Sequence, residues 1–195
     1  MLPSDYDGVC IIGKRKQGKS TLLEQLLAGE PRVQLYDAKG ALREPIVIKR
    51  GVLPSMPKYG VHRSYVPAEG QPFDECEWSA FLAIQLGRCI SVVDELPDAL
   101  EGQEPGASFA WVTRMGRMRA IRFIYSFQRA FEVPRMVTAN ASDWFLFQTN
   151  EPRDLQYIAQ SVSADAAIRV RNLKRGQAVH VRDGNVFAIM ETYRP

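Results

Sequence analysis

The chain has 195 residues, of which 46% are hydrophobic and 24% charged, and its formal net charge at pH 7 is +3. This balance excludes a disordered or fibrous chain, and so mild a charge does not by itself indicate a nucleic-acid partner. The length suits one α/β domain and is too short for two ordinary domains with a linker, so we expect residues 1–195 to form a single domain.

Short apolar strings bounded by turn residues recur along the chain and predict buried strands. They cover residues 9–12, 33–36, 46–48, 89–93, 121–125 and 144–147. Helical spacing of apolar residues predicts helices over residues 20–28, 75–86 and 152–162. Strands that alternate with helices in this way indicate an α/β fold with a mostly parallel central sheet, covered by helices on both faces.

Two segments depart from this alternation. Residues 51–71 are rich in proline and glycine, which argues against a long regular element and predicts an irregular insertion. Residues 177–182 and 185–191 flank the turn pair Asp183-Gly184, which is typical of a β-hairpin. We therefore expect an antiparallel C-terminal hairpin at an edge of the sheet.

The segment after the first predicted strand fits the phosphate-loop pattern G-x-x-x-x-G-K-[ST] at every position. With the residue that follows, it consists of Gly13, Lys14, Arg15, Lys16, Gln17, Gly18, Lys19, Ser20 and Thr21. Glycines let successive backbone amides point at the phosphates of a nucleotide, at the positive end of a helix. Lys19 is expected to reach the β and γ phosphates, and the Ser20 hydroxyl to bind Mg²⁺. The preceding strand and the following leucine-rich helix favour this interpretation, with ATP as the nucleotide, over a basic surface turn.

A pair of acidic residues follows the fourth apolar string. Asp94 and Glu95 come directly after residues 89–93, where a strand would present a carboxylate to the Mg²⁺ beside a phosphate loop. In this interpretation Asp94 holds the metal and Glu95 activates the attacking water. The alternative is that the two acids simply begin a polar loop, and the phosphate loop in the same chain favours the catalytic interpretation.

Polar and basic residues also surround the fifth apolar string. Gln128 follows it, near the strand end where ligands of open α/β sheets bind, and would orient the lytic water or sense the γ-phosphate. A solvated turn residue is an equal alternative for Gln128. A local basic patch, with Glu132 as its one acid, is formed by Arg114, Arg117, Arg119, Arg122, Arg129 and Arg135.

Other sites and locations are disfavoured by the sequence. Three cysteines without C-x-x-C spacing and two histidines predict neither a disulfide framework nor a transition-metal site. No apolar run approaches the ~20 residues that span a bilayer, and the first ten residues lack the order of a secretion signal. We expect an intracellular protein that is not secreted and has no membrane span of its own.

Several of these segments together resemble the FtsK–HerA group of ring-forming DNA motors. Residues 92–95 (VVDE) and residues 117–129 (RMRAIRFIYSFQR) are similar to the group's acidic pair and to its arginine, strand and Thr-Gln-Arg-like signature. Phe127 departs from the usual small polar residue of that signature. Further similar segments are the second-strand motif at residues 35–40 (LYDAKG), an Asn-strand-helix segment over 139–155, and a Gly-rich closing turn at 174–178 (KRGQA).

The resemblance implies a RecA-like core with a catalytic glutamate that works as a homo-oligomeric ring, expected to be a hexamer. By its place before Gln128, Arg117 would be an arginine finger that acts on the neighbouring subunit's nucleotide, with Arg114 and Arg119 as alternatives. Such a finger neutralises charge in the transition state. The catalytic residues implied are Lys19, Glu95, Gln128 and Arg117.

Within the group, the chain resembles most the genome-packaging ATPases of tailless, membrane-containing double-stranded DNA viruses, because its length is close to that of the motor alone. This resemblance implies that ATP hydrolysis drives double-stranded DNA of any sequence into a preformed capsid. A capsid or portal (vertex) protein would be a partner, and the host cytoplasm or the virion vertex the location. DNA phosphates would be bound by loop residues near 51–63 and by the arginine patch.

Other functions compete with this interpretation. In a small nucleoside or nucleotide kinase, Asp37 would hold the acceptor hydroxyl and the arginine patch would serve as a lid. Motors of the same group that act in conjugation, DNA resection or filamentous-phage assembly also fit. A GTPase is disfavoured because residues 94–97 (DELP) do not fit D-x-x-G and the chain has no N-K-x-D motif.

Overall fold

The structure, a computed structural model, describes residues 6–39, 42 and 44–192. Nine strands make a mostly parallel sheet: β1 (Gly8–Ile12), β2 (Arg32–Asp37), β3 (Ile46–Val47), β4 (His62–Val66), β5 (Ile90–Asp94), β6 (Arg122–Phe127), β7 (Asp143–Phe147), β8 (Gln177–Arg182) and β9 (Asn185–Glu191). The α-helices of the described residues are α1 (Lys19–Leu27), α2 (Pro72–Leu86), α3 (Leu96–Leu100), α4 (Ala107–Met115), α5 (Arg135–Thr138), α6 (Pro152–Ser161) and α7 (Ala164–Arg169). The predicted α/β fold class is therefore confirmed.

The chain divides into two compact units. The first comprises the described parts of residues 1–28 and 126–195, and the second comprises those of residues 29–125. The prediction that residues 1–195 form one domain stays a prediction. None of the helices in the described residues is both long enough and apolar enough to cross a bilayer.

In the first unit, β1 pairs in parallel with β7, and β8 pairs antiparallel with both β7 and β9. Every residue of β1 and β7 is buried, and because side chains of a strand alternate between faces, both faces of these strands are covered. Asp183 and Gly184 both have positive φ, 48° and 78°, as the tight turn of a two-residue hairpin requires. The predicted C-terminal hairpin is thus confirmed.

A buried charged cluster joins β7 to β8. Asp143 has no exposed surface, and its Oδ1 lies 2.6 Å from Nε2 of His180 and 2.9 Å from Nε of Arg182. The Ser142 hydroxyl donates to its Oδ2 at 2.8 Å. Burial alone would raise the pKa of this carboxyl, but the hydrogen bonds from His180, Arg182 and Ser142 outweigh it and hold the pKa below its ordinary value.

In the second unit all strand pairs are parallel: β2 lies between β4 and β5, β3 pairs with β4, and β6 with β5. The long helix α2 packs on β2, β4 and β5. At the start of β2 the buried Arg32 side chain donates hydrogen bonds of 2.9–3.3 Å to a set of backbone carbonyls, those of Pro57, Gly60, Leu86, Gly87 and Arg88. One guanidinium therefore ties the start of β2 to the end of α2 and to the loop before β4.

The prediction of an irregular insertion over residues 51–71 is wrong for residues 62–66. β4 lies inside this segment and pairs with β2 from Arg32 opposite His62 to Tyr36 opposite Val66. The glycines and prolines fall outside the strand, at or before Gly60 and from Pro67 onward, so they delimit β4 rather than prevent it. Residues 62–66 alternate between buried and half-buried, but the buried positions include the polar His62 and Ser64, so the sequence shows no matching alternation of apolar and polar residues.

Candidate nucleotide-binding and hydrolysis site

Residues 13–18 form a tight loop between β1 and α1, in the first unit. The Gly13 amide donates to the carbonyl of Phe127 at 3.1 Å, which fixes the start of the loop to the end of β6. Lys16 and Gly18 have positive φ, 65° and 113°. α1 begins at Lys19, and its second residue, Ser20, is exposed. The loop thus leads into the amino end of a nine-residue helix, where backbone amides favour an anion.

Both motif glycines are required by close packing. A Cβ on Gly13 would lie 2.6 Å from the Cβ of Phe147 and 2.9 Å from Oε1 of Gln17. A Cβ on Gly18 would lie 2.5 Å from Oγ1 of Thr192, in a backbone conformation that side chains rarely adopt. Any larger residue would therefore displace the loop from β7 or from the segment after β9.

The Lys19 side chain is folded into the loop. Only 7% of the residue is exposed, and Nζ donates a hydrogen bond of 2.6 Å to the Gly13 carbonyl. The ammonium group is thus held among backbone groups of the phosphate loop. A phosphate that enters the loop would compete well for this donor, because hydrogen bonds between charged groups are about twice as strong as neutral ones.

Residues far along the chain hold the loop in shape. Gln17 Nε2 donates to the Gln148 carbonyl at 2.8 Å, while its Oε1 accepts from the Lys14 amide at 3.2 Å. Arg175 Nε donates to the Lys16 carbonyl at 2.9 Å, and the Gly176 amide donates to the Gln17 carbonyl at 3.1 Å. The loop is therefore built from both parts of the first unit.

The turn at residues 174–176 is itself held by the segment after β9. The amide and the hydroxyl of Thr192 both donate to the Gly176 carbonyl, at 2.6 and 2.9 Å. The sequence signal for this support was the segment 174–178, whereas no motif singled out Gln148 or Thr192.

A cavity of about 300 Å³ opens beside the phosphate loop within the same unit. It is lined by residues of the loop, of α1 and of the C-terminal turn: Lys16, Gln17, Gly18, Thr21, Glu24, Arg175, Gly176 and Thr192. A larger cavity of about 630 Å³ lies along α6 and α7, but no acid, histidine or cysteine lines it. The smaller cavity is the better candidate for a nucleotide, because it adjoins the anion-binding loop and is lined by polar groups.

The predicted acidic pair lies in the second unit. Asp94 is the last residue of β5 rather than the first after it, and in register it stands opposite Asp37 of β2. Asp94 and Glu95 are each 5% exposed. Glu95 has φ 56° and ψ 62°, a left-handed conformation that is costly for a residue with a side chain and that clusters at functional sites.

Two charged side chains near this pair, those of Asp37 and Lys39, form contacts within the second unit. Asp37 accepts hydrogen bonds from the amides of Lys39 and Leu42, at 2.8 and 2.6 Å, one on each carboxylate oxygen. Lys39 Nζ lies 3.2 Å from Oε2 of Glu95 and 3.0 Å from Oδ2 of Asp98. Gly40, which ends the predicted second-strand motif, lies outside the described residues.

Gln128 directly follows β6 and is half-buried in the first unit, one residue after the carbonyl that binds the Gly13 amide. The side chain of its neighbour Arg129 pairs with two carboxylates of the protein. The Arg129 guanidinium lies 3.3 Å from Glu151 and 3.1 Å from Asp154, and Asp154 also accepts from the Ala130 amide at 2.8 Å.

The arginines of the basic patch are in different environments. Arg114, Arg117 and Arg119 are exposed, at the end of α4 and in the 3₁₀ turn that follows it. Arg122 forms an ion pair of 2.9 Å with Glu30, and Arg129 is paired as described above. In the second unit, therefore, the exposed part of the predicted basic patch consists of the three arginines at the end of α4.

The sequence predicts Mg²⁺ as the metal, with Ser20 and Asp94 as its ligands. The Ser20 hydroxyl and the Asp94 carboxylate are hard oxygen donors of the kind that Mg²⁺ prefers. Among the residues that the structure describes, no group of three or more His, Cys, Asp and Glu side chains forms a metal site. All three cysteines are buried, and burial raises the pKa of their thiols, so they remain in the weakly ligating protonated form.

Comparison with solved structures finds proteins of the same fold. The genome packaging NTPase B204 from Sulfolobus turreted icosahedral virus 2, in complex with AMPPCP, has a TM-score of 0.73 at 20% identity, over 97% of this chain and 99% of that chain. B204, the DNA-packaging ATPase from Sulfolobus turreted icosahedral virus, has a TM-score of 0.71 at 19% identity, with full coverage of both chains. The pCW3 conjugation coupling protein TcpA, in its monomer form with ATPγS, has a TM-score of 0.68 at 14% identity, over 96% of this chain and 60% of that chain.

No protein-family model matches the chain, and no curated protein matches its sequence. At identities of 20% and below, the similarity to solved structures shows a shared fold. The RecA-like P-loop core is thereby confirmed. Genome packaging ATPases and a conjugation coupling protein are among these structural neighbours.

Proposed function

We propose that this chain is an ATPase that moves double-stranded DNA, and that its role is to drive a viral genome into a preformed capsid. One observation carries the proposal: an intact phosphate loop, with Lys19 folded among its backbone groups, lies in a chain that shares its fold over nearly its whole length with a genome packaging NTPase. Because fold alone does not establish activity, the site must supply the chemistry.

The phosphate loop and Lys19 would bind the triphosphate. Loop amides at the start of α1 would donate to the phosphate oxygens, and Lys19 would exchange the Gly13 carbonyl for the β and γ phosphates. The cavity beside the loop would take the rest of the nucleotide. Ser20 and Asp94 would hold Mg²⁺, which, when bound, neutralises charge on the phosphates.

Glu95 is proposed as the general base and Gln128 as the residue that orients the attacking water. The water oxygen would attack the γ-phosphorus, its proton would pass to the Glu95 carboxylate, and the bond from the γ-phosphorus to the bridging oxygen would break to leave ADP and phosphate. The left-handed backbone of Glu95 and the place of Gln128 directly after β6 support these roles.

Arg117 is proposed to act in trans on the nucleotide of the next subunit in a ring, with Arg114 and Arg119 as alternatives. All three side chains are exposed and belong to one short segment, so any of them is accessible to a neighbouring molecule. Contacts to DNA would be made to backbone phosphates by exposed lysines and arginines, which makes binding independent of sequence and strongly dependent on salt.

The kinase alternative is weakened by the contacts of Asp37. A kinase would need this carboxylate to hold an acceptor hydroxyl, but Asp37 is 2% exposed and each of its oxygens accepts a backbone amide. Asp37 therefore serves to fix the turn after β2.

The proposal is tested by phosphate release from ATP at high protein concentration, with and without double-stranded DNA, beside the Glu95→Gln variant. We expect release that increases with DNA, decreases as salt is raised, and is lost in the variant. Phosphate transfer to an added nucleoside monophosphate, with no free phosphate, would instead identify a kinase. Hydrolysis that is insensitive to DNA would contradict the motor function while leaving an ATPase.

A further inference from the structure

The turn after β2 carries an ammonium group to the side chain of Glu95. Lys39 Nζ lies 3.2 Å from Oε2 of Glu95 and 3.0 Å from Oδ2 of Asp98. The side chain of Lys39 is 30% exposed, that of Asp98 51%, and that of Glu95 only 7%. The lysine therefore links a buried carboxylate to a solvent-exposed one.

The backbone around Lys39 is fixed by Asp37. Oδ1 of Asp37 accepts the Lys39 amide at 2.8 Å, and Oδ2 accepts the Leu42 amide at 2.6 Å. Asp37 is the last residue of β2 and pairs in register with Asp94, the residue before Glu95. The turn that presents Lys39 and the strand end that presents Glu95 are thus held together by adjacent strands.

The buried Glu95 carboxylate lies at the start of α3, within ion-pair distance of Lys39. Glu95 precedes the five-residue helix α3, and its own side chain makes no capping hydrogen bond there. A buried carboxylate requires compensating charge or hydrogen bonds, and an ammonium group at 3.2 Å supplies part of both. The ion pair with Lys39 consequently restricts the direction in which the carboxylate points.

We infer that Lys39 is a positioning residue that holds the Glu95 carboxylate in the orientation needed to activate water, an inference that rests on the proposed function. A misplaced catalytic group of this kind costs on the order of 100-fold in rate, because attack requires a narrow range of geometry. Asp98 in turn limits the positions open to the Lys39 ammonium group.

The test measures kcat and KM for ATP in the full chain without DNA, for Lys39→Met, Lys39→Arg and Asp98→Asn. We expect Lys39→Met to lower kcat roughly 10- to 100-fold with KM within about twofold of the original chain. Lys39→Arg retains the charge and should recover part of kcat. Asp98→Asn should have a smaller effect than Lys39→Met, because its exposed carboxylate is screened by solvent.

The matched control is Lys49→Met, which removes the same charge from the same unit. Lys49 lies 3.4 Å from Glu69, and both side chains are more than half exposed. We expect its kcat to equal that of the original chain. If Lys39→Met hydrolyses ATP as fast as the original chain or faster, or raises KM without lowering kcat, the positioning role is overturned.

A second readout does not depend on activity. Lys39→Met and Glu95→Gln are combined, and the loss of Tm in the double variant is compared with the sum of the single losses. If the two side chains interact, the Tm of the double variant falls by less than the sum of the two single decreases. Additive decreases would show that the ion pair is not formed. A chain in which hydrolysis is absent, or is unchanged by Glu95→Gln, would refute the proposed function and with it the role of Lys39; hydrolysis that needs Glu95 but not Lys39 would refute this inference alone.

Discussion

At the scale of single residues, Gly13 is the motif glycine at which close packing can be tested without backbone strain as a second cause. In Gly13→Ala the new methyl would lie 2.6 Å from Cβ of Phe147, a rigid part of β7, so the loop must shift. We expect at least about a tenfold loss of affinity for a fluorescent ATP analogue, equivalent to about 1.4 kcal/mol.

The control for this substitution is Gly29→Ala. A Cβ there meets nothing within 4 Å, but φ is +83°, so the variant should lose stability through backbone strain without touching the phosphate loop. Nucleotide affinity should stay unchanged in Gly29→Ala. An equal loss of affinity in both variants would show that general destabilisation, and not loop geometry, is responsible.

The phosphate loop and the acidic pair could be predicted from the sequence because the residues of each motif are close together in the chain. Gly13, Gly18 and Lys19 are spaced as a phosphate-binding backbone requires, and a strand precedes them. The residues that hold the loop in shape could not be predicted from the sequence in this way. Gln148, through its carbonyl, and Thr192, through its amide and hydroxyl, form hydrogen bonds with distant chain segments, and such contacts leave no local pattern.

At the scale of elements, Arg32 determines how β2 is joined to its surroundings. Arg32→Met would retain much of the side-chain volume but leave buried carbonyls, including those of Leu86 and Gly87, without a donor. We expect the free energy of unfolding in urea to fall by about 2–4 kcal/mol. Arg169→Met, which removes an exposed ion pair with Asp165, should leave it almost unchanged, because solvent screens that pair. Similar losses in the two variants would contradict the role given to the Arg32 carbonyl contacts.

The charged cluster between β7 and β8 makes the stability of the hairpin depend on pH. Because the pKa of folded Asp143 lies below its ordinary value of 3.8, its contribution is fully present above about pH 4 and is lost as the pH falls toward the folded pKa. We expect Asp143→Asn to cost about 3 kcal/mol at pH 7, measured by urea unfolding. The difference from the original chain should shrink between pH 4 and pH 2. A difference independent of pH would exclude the ionised carboxylate as its cause.

Element types were predicted well where apolar strings stood alone and poorly where turn residues lay close by. β5 and β7 were located within a residue or two from their continuous apolar runs. β4 was missed because prolines and glycines flank five residues that alternate between buried and half-buried. Helix α4 was missed because its buried face consists of only Phe109, Val112 and Thr113, whereas α1, of the same length, buries four leucines.

At the scale of the whole molecule, the proposed ring makes activity a property of subunit pairs. Arg117→Ala would retain its own Glu95 but lack the finger, whereas Glu95→Gln would retain the finger but lack the base. Mixing the two inactive variants should restore a fraction of the phosphate release, because some interfaces then combine an intact base with an intact finger. Release measured against mixing ratio should peak near equal amounts. A mixture that stays inactive, under conditions in which the original chain is active, would contradict a finger supplied in trans.

The contacts that residues 174–192 make with the phosphate loop also determine when, during synthesis, the loop can take its final shape. Arg175 binds a carbonyl 159 residues earlier in the chain, and Thr192 fixes the turn that contains Arg175 and Gly176. A nascent chain that already contains every residue of the phosphate motif therefore lacks the contacts that shape it. Contacts between such distant segments form late, so we expect nucleotide to stabilise the fold only after residues 174–192 have left the ribosome.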